Sequence, residues 1–263
     1  MAPWTACPHA ADYQLDAAAV TAGWARLHAG DAEPLPPQPE VLAAWVLFHN
    51  GRLQEARDAG MQAGPAGWTV ANKATCIHAT YVEKKEKARL ELLLEAAERA
   101  CRQVQADAGN ANAWYLHALA LGRYSQGISV AKALAQGLGG KVKGALERAI
   151  ALQPRHADAH VALAAFHAEV IDKLGSLIGR MTYGVKTETG LALFHEALRI
   201  HPASPIGLVQ YANGLVMLEG EEHTPEATRI YRQAAALEPL DAIERLHVEL
   251  ARAELLDRAT TRG

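Results

Sequence analysis

One short pattern occurs three times between Lys141 and Pro239, and it constrains the fold more than any other feature of the chain. In each copy a residue no larger than Val is followed by Leu or an aromatic residue, then by Ala, then by Pro. The copies are Val142/Leu146/Ala149/Pro154, Gly190/Phe194/Ala197/Pro202 and Ala227/Tyr231/Ala234/Pro239. Because residues three and four apart share one face of a helix, the first three positions predict a stripe that packs closely on a neighbouring helix. The Pro then ends the helix.

The amino-acid composition favours the same kind of fold. Hydrophobic residues make up 50% of the chain, but aromatic residues make up only 6%. This mixture suits closely packed helices better than a β-sandwich, which is richer in Val, Thr, Tyr and Phe. We predict an all-α chain in three parts: an N-terminal helix and Pro-rich break over residues 1–36, a repeat array over residues 37–239, and a C-terminal capping helix and tail over residues 240–263.

The spacing of Trp114 and the prolines indicates insertions in the middle of the array. Trp114 and Pro154 lie 40 residues apart, where a consensus repeat has about 28. Pro154 and Pro202 lie 48 residues apart, whereas Pro202 and Pro239 lie 37 apart. The tetratricopeptide repeat, a pair of helices, has a period of roughly 34 residues. The excess residues fall in two stretches, 125–140 and 171–186, which we therefore interpret as over-long helix ends or insertions.

With these helical pairs assigned, the chain resembles the tetratricopeptide superfamily, which implies a right-handed α-solenoid of helical hairpins. Over residues 90–218 it resembles more narrowly the regulator of microtubule dynamics family. The residues that carry this narrower resemblance are Trp114, Tyr115, Ala149, Ile150, Pro154, Glu196, Ala197, Leu198 and Pro202. The chain is also similar to helical periplasmic proteins that accompany some substrate-binding-protein-dependent transporters. The resemblances imply a protein- or peptide-binding scaffold or, as the alternative, a small-ligand-binding accessory of a transporter.

The first helix of each such hairpin lines a concave groove, and we expect the partner to bind in that groove or through the two insertions, 125–140 and 171–186. Helix register places the candidate groove residues at Asn112, Tyr115, Leu119, Arg123, Asp158, Val161, Ala165, Val209 and Asn213. Most are apolar or small, which argues against a clamp of Lys, Arg and Asn for a terminal carboxylate. We expect an apolar segment instead, supplied by a partner protein, the chain's own C-terminal helix or a second copy in a homo-oligomer. Arg123, Lys132 and Lys173 would favour acidic flanks in that partner.

Charge and targeting signals limit the partners further. The formal net charge is -3, so no overall basic field is present to bind nucleic acid. No stretch approaches the roughly 18 consecutive apolar residues of a membrane span. The first residues lack a signal-peptide pattern, and Cys7, Cys76 and Cys101 form no CxxC pair. These features predict a cytoplasmic chain with reduced cysteines.

The sequence contains no complete catalytic motif. It has neither a G-x-S-x-G elbow nor a GKS or GKT phosphate loop, and we expect neither catalysis nor a cofactor. His156, His160 and His167 are spaced so that they can share a helix face, which leaves a metal site open as a further alternative. His160 and His167 also occupy positions where aromatic residues pack in a consensus repeat, so buried packing is the other interpretation.

Overall fold

The computed structural model describes the backbone of residues 3–260 and the side chains of residues 3–258. All regular secondary structure in that part of the chain is helical. The helices are α1 (Ala17–Leu27), α2 (Pro39–His49), α3 (Leu53–Gln62), α4 (Trp68–Ile77), α5 (Glu86–Ala106), α6 (Ala111–Gln126), α7 (Val130–Ala135), α8 (Leu138–Leu152), α9 (Ala157–Leu174), α10 (Ser176–Tyr183), α11 (Thr187–Ile200), α12 (Pro205–Glu219), α13 (Thr224–Ala235) and α14 (Ala242–Thr260). A π-helical turn, His78–Val82, follows α4, and 3₁₀ turns form at Ala10–Asp12, Gly64–Gly67 and Glu221–His223.

The repeated sequence pattern corresponds to α8, α11 and α13, and its stripe is buried in every copy. The buried stripe residues are Val142, Leu146, Ala149, Gly190, Phe194, Ala197, Ala227, Tyr231 and Ala234. Helices α8 and α11 each end two residues before the Pro of the pattern, at Leu152 and Ile200. Helices α8 and α11 thus end where the spacing predicts, whereas α13 ends at Ala235, four residues before Pro239. All three helices bury the predicted stripe. The all-α prediction is confirmed.

The described chain divides into two compact units, of which unit 1 comprises residues 3–28, 32–154 and 241–243. In unit 1 each helix from α1 to α5 packs on the next one along the chain, and α6 packs on α8. Helix α4 also packs on α2 and α6, so helices contact their second neighbours as in an α-solenoid. Between α4 and α5 the packing includes a buried polar layer, in which Arg99 donates to Asn72 Oδ1 at 2.6 Å and to Thr75 Oγ1 at 2.9 Å. Burial lowers the pKa of Arg99.

Unit 2 comprises residues 29–31, 155–240 and 244–260. Helix α9 packs on α10, α11 and α12, and α12 packs on α11 and α13. One core cluster surrounds Phe194 of α11, and a second surrounds Tyr231 of α13 and includes Ala251 of α14. Gly214 of α12 lies directly beneath the Phe194 ring, because a Cβ there would be 2.4 Å from Phe194 Cε2. The missing side chain therefore lets the aromatic ring of one helix enter the surface of the next.

Both stretches that the spacing of Trp114, Pro154 and Pro202 marks as insertions contain a short helix of their own. Helix α7 lies in the first and packs on α8, whereas α10 lies in the second and packs on α9. Positive φ angles at Gly137, Gly175 and Gly184 permit the abrupt turns beside these helices, since glycine has no Cβ to clash there. Within residues 3–260, no helix combines the length and apolar character needed to cross a lipid bilayer.

Candidate functional site

In unit 1, the predicted groove residues all lie on α6 and are partly covered by the chain itself. Asn112 is buried, and its Nδ2 donates to Glu33 Oε2 at 2.6 Å. Tyr115 is also buried, whereas Leu119 and Arg123 are half-buried. Asn112, the first residue of this stripe, is therefore already bonded to Glu33 in the segment that follows α1.

In unit 2, several predicted groove residues belong to the hydrophobic core. Val161 packs in the Phe194 cluster with Ala165 at its edge, and Val209 packs in the Tyr231 cluster with Ala251 of α14. The remaining two have partners within the unit. Asn213 Oδ1 accepts a hydrogen bond from the Tyr231 hydroxyl.

Asp158 is the other groove residue with a partner inside unit 2. Its backbone N–H donates to Gly30 O at 2.9 Å. Its side chain lies directly against Gly30, where a Cβ would be 2.5 Å from Asp158 Oδ1. Much of the predicted stripe is thus filled by the chain's own residues, and binding of a partner to the rest of it stays a prediction.

The three candidate metal-binding histidines are buried in unit 2, and each ring is directed at the main chain. His156 Nδ1 accepts from Ala159 N at 3.1 Å and so caps α9. His160 Nδ1 donates to His156 O at 3.0 Å, and His167 Nδ1 lies 3.1 Å from Lys186 O. Among the residues that the structure describes, no three His, Cys, Asp or Glu side chains are grouped so that they could hold a metal ion. These contacts favour the packing interpretation of the histidines.

Helix α10 lies within the 171–186 insertion, which the sequence marked as a candidate binding element. It carries the most exposed cluster of large apolar side chains in unit 2, although the sequence pattern did not single out these side chains. Leu177, Ile178 and Met181 are 72%, 57% and 80% exposed. The opposite side of the helix packs at Gly179, where a Cβ would be 2.9 Å from Val185 Cγ2. We call Leu177, Ile178 and Met181 the α10 apolar surface. Contiguous exposed apolar groups of this kind commonly mark interaction sites in soluble proteins.

Basic residues flank the α10 apolar surface. Lys173 precedes the helix, Arg180 lies in its last turn, and Lys186 follows it; all three are exposed. No acidic residue occurs in the stretch 173–187. The excess length of the insertion is the feature of the sequence that pointed to this region. Its apolar residues alone do not show that their side chains face outward.

Unit 1 contains a buried chain of polar groups that joins residues far apart in the sequence. Asp241 Oδ2 lies 2.6 Å from His49 Nδ1, and His49 Nε2 lies 3.3 Å from His28 Nε2. Because a carboxylate oxygen accepts, Nδ1 of His49 carries the proton in this bond. The other oxygen of Asp241 accepts from Ile243 N at 3.0 Å and satisfies the first turn of α14. Trp45 packs edge-on against His28, with ring centroids 4.6 Å apart.

The cysteines differ in how accessible their thiols are. Burial raises the pKa of Cys7 to about 11, with the charge of Asp241 as the smaller cause. Burial also raises the pKa of Cys76 to about 12, despite the opposing charges of Arg99 and Arg123. Cys101 is half-buried.

We expect iodoacetamide at pH 8 to modify Cys101 first in the folded chain. A thiol with a pKa near 11 is ionised in only about one molecule in a thousand at that pH, so Cys7 and Cys76 should react at least about 100-fold more slowly. Mass spectrometry of timed digests measures the three rates, and alkylation in guanidinium chloride provides the control in which the rates converge. Equal rates for Cys76 and Cys101 in the folded chain would contradict the expectation.

Comparison with known families gives one result. A family model described as Regulator of microtubule dynamics protein 1-3 matches residues 53–251. The match covers about three quarters of the chain, from the start of α3 into α14, and includes both inserted helices. It extends well beyond the residues 90–218 that carried the resemblance in the sequence. No curated protein matches the chain.

Proposed function

The chain belongs to the regulator of microtubule dynamics family, and we propose that it is a protein-binding scaffold whose main partner contact is the α10 apolar surface. The observation that carries this proposal is the exposure of Leu177, Ile178 and Met181 on one short helix. The family's description as regulators of microtubule dynamics is consistent with a protein partner. The proposed role involves no catalytic step and no cofactor. A cytoplasmic location is part of the proposal, with which the free cysteines agree.

The physical case for α10 rests on what a partner would gain by covering it. Burying one Leu, Ile or Met side chain is favourable by about 1.5–3 kcal/mol. The α10 apolar surface offers three such side chains in adjacent turns, whereas the groove residues Asn112, Asp158 and Val209 already contact other parts of the chain. A partner on α10 therefore displaces water alone, and a partner at those groove residues must also displace the chain's own groups.

The charge around α10 indicates the chemistry of the partner. Arg180 and Lys186 flank the apolar side chains without an acidic residue between them, whereas Lys173 pairs with Glu169 at 3.9 Å. A complementary protein segment would present apolar residues flanked by Asp or Glu, because unlike charges speed association and favour the correct orientation. Binding that depends on these exposed charges should weaken as the salt concentration rises.

The double variant Leu177→Ser/Met181→Ser tests the proposal. We expect it to weaken partner binding by at least about tenfold, since two apolar side chains would no longer be buried. The partner is first captured by a photo-crosslinking residue at position 178 of the full chain in cells, and its affinity is then measured with purified proteins by isothermal titration calorimetry.

Leu256→Ser is the matched control, because Leu256 is also in unit 2 and is 68% exposed. It should leave the affinity unchanged, and neither variant should shift the thermal unfolding seen by circular dichroism. If the captured protein bound the double variant as tightly as the unchanged chain, α10 would not be its contact surface.

A further inference from the structure

We propose that unit 1 contains a peptide-recognition surface for a segment that carries a tryptophan, and that residues 3–15 of the chain occupy it as an intramolecular ligand. We call residues 3–15 the leading segment. The recognition surface consists of Asn50, Gly51, Gln54, Arg57 and His78. It is separate from α10 and does not depend on the function proposed for that helix.

The main chain of the leading segment is held at both ends by amide side chains. Asn50 Oδ1 accepts from Leu15 N at 2.8 Å, and Asn50 Nδ2 donates to Leu15 O at 2.8 Å. Gln54 Oε1 accepts from Trp4 N, also at 2.8 Å. An amide paired with both backbone groups of one residue recognises the main chain whatever the side chain of that residue. These contacts would therefore serve any segment of the same conformation.

Trp4 supplies the side-chain specificity. Its ring stacks on His78 with centroids 4.2 Å apart and an angle of 13° between the planes. The guanidinium carbon of Arg57 lies 4.9 Å from the centroid of the same indole. Stacking and cation–π contacts to a large ring are typical of the residues that dominate binding energy at interfaces. The arrangement thus selects an aromatic anchor, and its area favours tryptophan.

His78 is the strongest sign that this surface exists for recognition. Its side chain is fully buried, and neither ring nitrogen has a hydrogen-bond partner among the described residues. Glu83 Oε2 lies 4.0 Å from Nε2, which is too far for a hydrogen bond. Burial lowers the pKa of His78, so the ring is neutral near pH 7. A buried imidazole without hydrogen bonds is costly to keep, and the contact that it does make is the face-to-face stack with Trp4.

His78 also begins the π-helical turn, His78–Val82. Such turns are rare and occur frequently at functional sites. The local backbone irregularity therefore coincides with the residue that lacks polar partners. Two independent features of the recognition surface, one of the backbone and one of the side chain, point to the same position.

Gly51 allows the middle of the leading segment to approach. Its φ of +73° favours glycine, and a Cβ there would lie 2.9 Å from Ala242 Cβ, 3.2 Å from Ala10 Cβ and 3.3 Å from Cys7 Sγ. Cys7 is the buried residue of the leading segment, whereas the others are half-buried or exposed. A segment with so little buried surface opens more readily than the core beneath it. It can therefore exchange with another segment of the same chemistry.

The test uses the full chain and a fluorescent peptide of residues 3–16 with Cys7→Ser. In the unchanged chain the leading segment competes from within the molecule at a high effective concentration, so we expect Trp4→Ala to tighten peptide binding by about tenfold or more. Fluorescence anisotropy measures both affinities. Trp114→Ala, which alters another tryptophan of unit 1, is the matched control and should leave the affinity unchanged. Adding Arg57→Ala to Trp4→Ala should remove the gain.

A second measurement needs no variant. Saturating unlabelled peptide should raise the iodoacetamide rate of Cys7 in the unchanged chain by about tenfold or more, because displacement of the leading segment uncovers this thiol. Cys76, which is buried in α4, should keep its iodoacetamide rate, and this result would exclude general unfolding. Unchanged peptide affinity in Trp4→Ala, or an unchanged Cys7 rate with bound peptide, would overturn the proposal.

Discussion

Asp241→Ala is expected to lower the free energy of unfolding of unit 1 by about 4 kcal/mol, the sum of a lost buried pair and a lost helix cap. Asp241 is the acceptor for His49 and for the first turn of α14. Without the carboxylate, His49 Nδ1 would be left buried with no acceptor. Urea titration followed by tryptophan emission measures the loss, since all five tryptophans lie in unit 1.

Asp16→Ala separates the two contributions. Asp16 caps α1 by accepting from Ala19 N at 2.7 Å, but it is exposed and has no histidine partner in that bond. Its replacement should cost only about 1 kcal/mol. If Asp16→Ala and Asp241→Ala shifted the urea midpoint equally, the contact with His49 would contribute nothing to stability.

Phe194→Ala is expected to destabilise unit 2 by about 4 kcal/mol, because it empties a site that cannot collapse. Phe194 is fully buried among Val161, Ala168 and Leu218. Its ring occupies the hollow above Gly214, and neither helix backbone can move into that space without breaking the surrounding contacts. Urea titration followed by far-ultraviolet circular dichroism measures the change, since unit 2 contains no tryptophan.

Phe166→Ala is the chemically matched control for this prediction. Phe166 is in the same unit but is half-buried, and the centroids of its ring and the Tyr183 ring lie 5.8 Å apart. This variant should lower the free energy of unfolding by at most about half as much, about 1–2 kcal/mol, because less buried apolar area is lost. If both variants lowered the free energy of unfolding equally, the helices around Phe194 would have closed the cavity, contrary to the prediction.

Much of the fold was predictable from the sequence because its packing repeats along the chain. Ala149, Ala197 and Ala234 occupy equivalent positions in three helices, so one local rule predicts burial at all of them. That rule depends on residues three to five positions apart, for which helix geometry alone gives the neighbours. The spacing of Trp114, Pro154 and Pro202 located both inserted helices.

The candidate site was harder to predict because distant segments decide which surfaces stay open. Nothing near Asn112 in the sequence indicates that Glu33 covers it, and nothing near Trp4 indicates a stack on His78. The outward direction of Met181 depends on which side of α10 meets α9. Such contacts are set by the arrangement of whole helices, and a periodic pattern carries no information about them.

The bond between His49 and Asp241 spans 192 positions of the chain, and it has a consequence for biosynthesis. Protein domains usually fold as they leave the ribosome, beginning with the residues made first. Here the pairs of helices nearest the start cannot complete their interior until residue 241 has been translated. Until then the nascent chain holds the His49 imidazole without its Asp241 acceptor, and unit 1 gains that bond only after the whole 192-residue interval has been made.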